Sequence, residues 1–406
     1  MHLVRLATTR STLAGWLAIA ALLLAMWPAA SPAQDATPAA VAPSSAMQEL
    51  FGLVPAQVPG VEDPTQATIS WVDIARQLDA VGVEAPDSYD DPAMADWIAA
   101  TRSLATPSDP TAYLKFWRED YGFDLLQVDQ AIEFAAPPAR LLLFKGTFDP
   151  EDVLAALDEV GYQPVTVNGH ELLSIRDDYE INADAPTTYL MAHMNFGVVL
   201  PDGTLAFSSA GAPLAAVLNV AAGTAPSMLE QAGIAMLIGQ APPDLVSAVI
   251  VHGFMLQMSI PSSITDVIGT PDADFDAVAT AAAGEIATAS EMPPVAMALL
   301  GSTAGGPLFG DGVETPADAP NARAVAIVAM HDPASAEAAV PVVEARLEQG
   351  ASQETKQPYA EMFARWTVEA VPGTPMLTID MEIAENAPPN RLIQMLYARD
   401  LGFLAW

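Results

Sequence analysis

The sequence predicts an α+β protein in which antiparallel sheets carry helices on one face. Three observations favour this class. Two dipeptides, Asn168-Gly169 and Asp202-Gly203, supply residues that tolerate the positive φ angles of two-residue hairpin turns. Both dipeptides are flanked by short runs of β-branched and large apolar residues, which are typical of strands. A strand followed by a well-capped helix occurs twice, first after Arg140 and again after Arg323.

The first 33 residues are typical of a secretory signal peptide. Arg5 and Arg10 precede an apolar run from Leu13 to Trp27, and Ser31-Pro32-Ala33 places small residues before the expected cut. The run is shorter than the ~18 to 20 residues of a membrane-spanning helix. We therefore expect a secreted or extracytoplasmic protein, anchored to a membrane only if this segment stays uncleaved. Residues 34–46 are rich in Ala, Pro, Ser and Thr and predict a flexible spacer.

Residues 47–120 are expected to form a helical segment that packs on the first half of the body. Apolar residues between Ile69 and Val81 recur at spacings near three and four, and residues 94–104 and 112–117 look similar. This period predicts three short helices.

The body is expected to consist of two similar halves, residues 121–240 and 241–385. In the first half, Asp149 and Pro150 are suited to cap and start a helix. In the second half, Asp332-Pro333 follows its strand at the same spacing. The correspondence predicts an internal duplication. The alternative is that Asp-Pro starts a helix well whatever the ancestry.

One segment of the second half and the residues that follow this half carry further expectations. Residues 245–260 alternate apolar and polar positions, which predicts a long strand with one core face rather than a membrane span. Residues 386–406 form an amphipathic tail in which Leu392, Met395 and Leu396 share one face of a helix. We expect this tail to dock on its own domain.

Composition narrows the range of partners and chemistries. The chain carries 50 Asp plus Glu against 15 Lys plus Arg, a formal net charge of −35, and a field of that sign repels phosphate backbones. Nucleic acid is therefore not an expected partner. Because the sequence contains no Cys, disulfides, thiol catalysis and thiolate metal sites are excluded.

Local signatures of common enzyme classes are missing from the sequence. It contains no G-x-S-x-G, S-x-x-K, Walker or G-x-G-x-x-G motif. His170-Glu171 begins like a zinc-binding helix, but Ser174 stands where the second His is needed. We therefore assign no catalytic or cofactor-binding residues and interpret the chain as non-catalytic.

An acidic segment supplies the candidate metal ligands. Oxygen-bearing side chains alternate through residues 177–184, as they do in loops that bind calcium. Asp178, Glu180 and Asp184 are the candidate calcium ligands. The segment lacks the Gly and the terminal Glu of helix-loop-helix calcium sites, so a solvated acidic loop between strands is the alternative.

A soft-metal site is the second metal hypothesis. Met191 and His193 are two residues apart, which places them on one face of a strand, and thioether plus imidazole suits Cu(I). Met also fills gaps in apolar cores, and we favour that interpretation.

Together these observations favour an exported, non-catalytic protein that binds an unknown protein or small ligand through its α+β body. One alternative is an extracellular calcium-binding module. The other is a hydrolase whose carboxylates and His converge from distant positions, for which a concave pocket gathering two such groups with shifted pKa values would be the sign.

Overall fold

Twelve strands of this chain form one antiparallel sheet. The computed structural model describes residues 46–102, 104, 117, 121–181, 193–257, 277–280, 283–284, 291–308, 315–384 and 387–405. In chain order the strands are β1 Thr68–Asp73, β2 Val128–Ala136, β3 Ala139–Gly146, β4 Gln163–Val167, β5 His170–Ser174, β6 Phe196–Val199, β7 Leu205–Ser208, β8 Leu245–His252, β9 Val295–Thr303, β10 Arg323–Met330, β11 Phe363–Ala370 and β12 Met376–Ile383.

Helices precede, connect and follow these strands. They are α1 Ala46–Phe51, α2 Ile74–Val81, α3 Met94–Thr101, α4 Pro150–Glu159, α5 Gly211–Ala221, α6 Ala232–Gln240, α7 Gly253–Gln257, α8 Pro333–Gln349, α9 Tyr359–Met362 and α10 Arg391–Tyr397, with short 3₁₀ turns at Pro64–Gln66, Leu125–Gln127 and Met228–Glu230. Within the described ranges, no helix is long and apolar enough to cross a membrane.

The strand order across the sheet is β11-β12-β10-β9-β8-β1-β2-β3-β7-β6-β5-β4. Strands β1 and β8 meet near the middle, and every pairing is antiparallel. The α+β class with an antiparallel sheet is thus confirmed. Only β11 and β4 are edge strands of this sheet, and the strands between them pair with a neighbour on each side.

Local sequence explains several elements directly. Both predicted hairpins form, with Val167 opposite His170 and Val199 opposite Leu205. The side chain of Asp149 accepts the N–H of Glu151 at 2.8 Å and caps α4, as expected from the Asp-Pro pair. Helix α8 starts in the same way and continues through Pro341 to Gln349.

Helices cover both faces of the single sheet, rather than one face of several sheets. We call face one the side bearing Val72, Leu142 and Leu300, which packs against α2, α3, α4, α8, α9 and α10. We call face two the side bearing Ile69, Phe134 and Ile250, which packs against α1, α5 and α6. Central strands can therefore be apolar on both sides, and β8 is buried along nearly its whole length.

The structure also differs from the sequence expectation at the bounds of two elements. Residues 68–73 form strand β1 instead of the start of a helix, because the run of β-branched and aromatic residues there favours a strand. Helix α2 begins only after Asp73, whose side chain accepts the N–H of Arg76 at 3.0 Å. Strand β8 ends at His252, and helix α7 follows it where a continued strand was expected.

The two halves share part of their connectivity. β2, β3, α4 and the β4–β5 hairpin correspond to β9, β10, α8 and the β11–β12 hairpin. In the first half the β6–β7 hairpin lies between β3 and β5, whereas β10 pairs directly with β12. The shared connectivity supports the expected duplication, which stays a prediction.

The C-terminal tail docks on face one. Leu401, Phe403 and Leu404 are buried in the core there, and Arg346 Nη1 donates to the carbonyl of Ala405 at 2.6 Å. Residues 1–33, expected to form the signal peptide, and the spacer up to residue 45 lie outside the described residues.

Candidate functional site

A cavity of about 500 Å³ lies on face two, over the middle of the sheet. Its floor comes from adjacent strands. Ile69 in β1 lies directly opposite Phe134 in β2 and Ile250 in β8, and Met297 in β9 lies opposite His252. All five side chains line the cavity. The floor is therefore fixed by the pairing of β2, β1, β8 and β9 and is mostly apolar.

The walls come from two segments that are far apart in the sequence. One is the stretch between α1 and β1, which contributes lining residues from Ala56 to Ala67, and the other includes Met228 and Ile234 near α6. Backbone hydrogen bonds join the segments, from the N–H of Met228 to the carbonyl of Val54 at 2.7 Å and from the N–H of Ala56 to Pro226 at 3.0 Å.

Two side-chain features fix this wall in place. The amide nitrogen of Gln231 donates to the carbonyl of Ala56. Gly60 has a φ of +84°, a conformation that favours glycine, and a Cβ at this position would collide with the hydroxyl of Tyr179. The wall thus depends on a glycine and on a tyrosine that belongs to the acidic segment after β5.

His252 places a polar ring at the end of the floor. Its Nδ1 accepts the N–H of Phe254 at 3.3 Å, and the side chain is half-buried. Burial lowers the pKa of His252, and the charge of His331 acts in the same direction, while Asp63 opposes both. The ring is therefore held toward its neutral form.

Asp63 is a fully exposed acid beside the lining residue Pro64. Its carboxylate accepts the N–H of Thr65 at 3.0 Å and the amide of Gln66 at 3.0 Å. These hydrogen bonds hold the pKa of Asp63 below its usual value. The carboxylate therefore adds negative charge beside the cavity at neutral pH.

The lining determines which chemistry the cavity supports. Among the described lining residues, His252 is the only one with a titratable side chain. Apolar walls around one imidazole are suited to binding an apolar molecule.

A second cluster of shifted groups lies on face one. Arg140 Nη1 donates to Glu133 Oε1 at 2.8 Å and to His193 Nδ1 at 3.1 Å. Burial raises the pKa of Glu133, while Arg140 opposes the rise. Burial, together with the charge of Arg140, lowers the pKa of His193 to about 4. None of the three side chains is among the described residues that line the cavity.

The candidate calcium ligands have separate partners. Asp178 Oδ1 accepts the N–H of Gly211, the first residue of α5, at 2.8 Å. Glu180 pairs with Arg176 at 3.2 Å and also accepts the N–H of Asp177 at 3.3 Å. Asp184 lies outside the described residues. The calcium hypothesis therefore stays a prediction.

The candidate copper pair is described only in part. Met191 lies outside the described residues, and His193 directs Nδ1 toward Arg140. Where the chain is described, no group of three or more His, Asp or Glu side chains is placed to hold a metal ion.

The cavity was not anticipated from the sequence. Its lining combines some of residues 56–69 and 228–234 with Phe134, residues 250–252 and Met297, and strand pairing across the sheet brings these residues together. The one local signal is His252, a polar residue that ends an apolar run. The chain matches no protein-family model, no curated protein and no solved structure.

Proposed function

We propose that this chain binds a small apolar molecule in the cavity beside His252. The observation that carries the proposal is the floor of Ile69, Phe134, Ile250 and Met297, set in four adjacent strands under a cavity of about 500 Å³. Small-molecule sites have volumes of roughly 300 to 1,000 Å³ and combine apolar walls with a few polar groups. This cavity has both properties.

The position of the cavity supports binding without a large rearrangement. Its floor belongs to the central strands, and Ile69 and Phe134 are buried. The wall at Ala56 is held by the hydrogen bonds to Pro226 and Gln231. A preformed site loses less conformational freedom on binding, which favours affinity.

The lining also predicts how affinity depends on the ligand. Each methylene transferred from water into an apolar site contributes about 0.8 kcal/mol, or roughly fourfold in affinity. For a series of unbranched ligands, the dissociation constant should fall with chain length until the cavity is full. We further propose that binding occurs outside the cytoplasm, which the signal-like residues 1–33 support.

Displacement of a neutral fluorescent reporter, N-phenyl-1-naphthylamine, tests the proposal. The variant Ala67→Phe places a ring at a lining position and should weaken reporter binding at least tenfold. Ala222→Phe is the matched control, because Ala222 is exposed and is not among the lining residues. Urea unfolding of both variants checks that the fold is retained. Equal reporter affinity in the wild type and in a folded Ala67→Phe variant would contradict the proposal.

A further inference from the structure

We propose that the ligand carries a neutral hydrogen-bond acceptor, such as a ketone or ester carbonyl, which accepts a hydrogen bond from Nε2–H of His252. This inference rests on the proposed function, because it specifies the ligand of the same cavity. It assigns His252 as the residue that recognises the polar end of an otherwise apolar molecule.

The backbone contact of His252 fixes the tautomer of its ring. A backbone N–H can only donate, so the contact from the N–H of Phe254 at 3.3 Å requires Nδ1 of His252 to accept. In a neutral imidazole with an accepting Nδ1, the proton lies on Nε2. Because burial lowers the pKa of His252, the neutral ring is the relevant form at pH 7. His252 is therefore a hydrogen-bond donor through Nε2.

Nε2 of His252 needs a hydrogen-bond acceptor when a ligand displaces water from the cavity. Within the described residues, Nε2 of His252 forms no hydrogen bond with a side chain or a backbone group. The amide nitrogen of Gln231, another polar group of the lining, already donates to Ala56. Binding an apolar molecule removes water from the lining, and a donor left without a partner then costs about 1 to 3 kcal/mol. An acceptor on the ligand avoids this cost.

Negative charges near His252 favour a neutral acceptor over an anionic one. Asp63 lies close enough to His252 for their charges to interact, and Glu62 beside it is also exposed. The formal net charge of the whole chain is −35. An anionic headgroup at His252 would be repelled by these negative charges. A positive charge on the nearby His331 would oppose this repulsion. A neutral acceptor gains the hydrogen bond without the repulsion.

Three ten-carbon probes separate these properties. 2-Decanone carries a neutral acceptor, decanoate an anionic one and 1-decene none. At about 30 Å³ for each water-sized group, a cavity of about 500 Å³ has room for all three. In displacement of N-phenyl-1-naphthylamine at pH 7, we expect 2-decanone to bind about five- to tenfold more tightly than 1-decene, the effect of one net hydrogen bond. Decanoate should bind more weakly than 2-decanone.

Two variants of His252 test the donor itself. In His252→Asn the amide oxygen replaces the accepting Nδ1, and no donor remains at the position of Nε2. In His252→Gln the amide nitrogen reaches the position of Nε2 and keeps the donor. We expect His252→Asn to lose the preference for 2-decanone over 1-decene and His252→Gln to retain most of it.

The outcomes separate this inference from the function on which it rests. If neither the reporter nor any probe binds, the proposed function is overturned, and this inference with it. If the probes bind with equal affinity, or decanoate binds best, the cavity binds apolar ligands but the assignment of a neutral acceptor is overturned. A preference for 2-decanone that persists in His252→Asn would overturn the role of His252.

Discussion

Two histidines whose pKa values are lowered by burial lie in different surroundings on opposite faces of the sheet. His193 contacts Arg140, which is paired with the buried Glu133 on face one. His252 ends strand β8 and lines the cavity on face two. In both rings Nδ1 accepts a hydrogen bond from a group that can only donate. Both rings therefore carry Nε2–H when neutral.

The difference between them lies in what adjoins the ring. His193 belongs to an ionic cluster in which the charge of Arg140 is shared between a carboxylate and an imidazole. His252 adjoins apolar walls and a volume that a ligand can fill. Burial is the main cause of the lowered pKa at both positions, so a shifted pKa does not by itself identify a binding site. The adjoining cavity distinguishes His252 from His193.

The largest expected effect comes from removing the cation of the face-one cluster. Arg140→Leu leaves Glu133 buried without its cation and should lower the free energy of unfolding by about 3 to 4 kcal/mol. Arg323→Leu is the matched control, since Arg323 begins β10 and its partners Asp244 and Asp380 are partly exposed. That variant should lose under about 1 kcal/mol. Urea unfolding measures both, and equal losses would contradict the buried role of Arg140.

Acid should destabilise the protein through His193. Its pKa is about 4 in the folded chain and about 6.5 in the unfolded chain. As the pH falls from about 6.5 to about 4, the unfolded chain takes up this proton first, so the free energy of unfolding falls by up to about 3 kcal/mol. This contribution is fully present above pH 6.5.

A variant isolates the contribution of His193 from its neighbours. Glu133 acts in the opposite sense, because its raised pKa lets the folded chain take up a proton first. His193→Asn keeps an acceptor for Arg140 and removes the titration, so its stability should depend less steeply on pH between 4 and 6.5 than that of the wild type. Parallel curves from urea unfolding would show that His193 is not responsible.

The next-largest expected loss of stability comes from replacing Gly60 in the cavity wall. Gly60→Ala forces a left-handed φ on a residue with a side chain and displaces Tyr179, so we expect a loss of about 2 kcal/mol and weaker reporter binding. Gly223→Ala has a similar φ of +69° but nothing within 4 Å of the added methyl. It should lose about 1 kcal/mol and bind the reporter normally. Thermal unfolding and reporter titration measure the two, and identical behaviour would argue against a role for the wall.

The smallest expected effect concerns the acidic segment. Asp178→Ala removes the acceptor for the first N–H of α5 and should cost about 1 kcal/mol, the usual size of a helix cap. Under this structural role the loss is the same with a chelator and with millimolar calcium. A loss that appears only with calcium would favour the calcium hypothesis for Asp178, Glu180 and Asp184.

Local patterns predicted the elements whose structure is decided locally. Asn168-Gly169 sets its hairpin because its residues tolerate positive φ, and Asp149-Pro150 starts α4 through its own side chains. Residues 69–72 form a strand although their spacing predicts a helix, because apolar spacings near three also occur by chance in a strand that is buried on both faces.

The cavity depends on contacts that local patterns do not contain. Ile69, Phe134 and Ile250 become neighbours only when β1 pairs with both β2 and β8. The wall at Gly60 depends on Tyr179, more than a hundred positions further along the chain. Such long-range pairings decide which apolar residues fill the core and which line the cavity.

Histidine-selective ¹⁵N NMR at pH 7 tests the central claim most directly, because it reports His193 and His252 in one sample. The variants His193→Asn and His252→Asn assign the signals. We predict that both rings are neutral with the proton on Nε2, and that 2-decanone shifts Nε2 of His252 while leaving His193 unchanged. An unchanged His252 in the presence of saturating 2-decanone, or a shift confined to His193, would contradict the claim that the cavity beside His252 is the binding site.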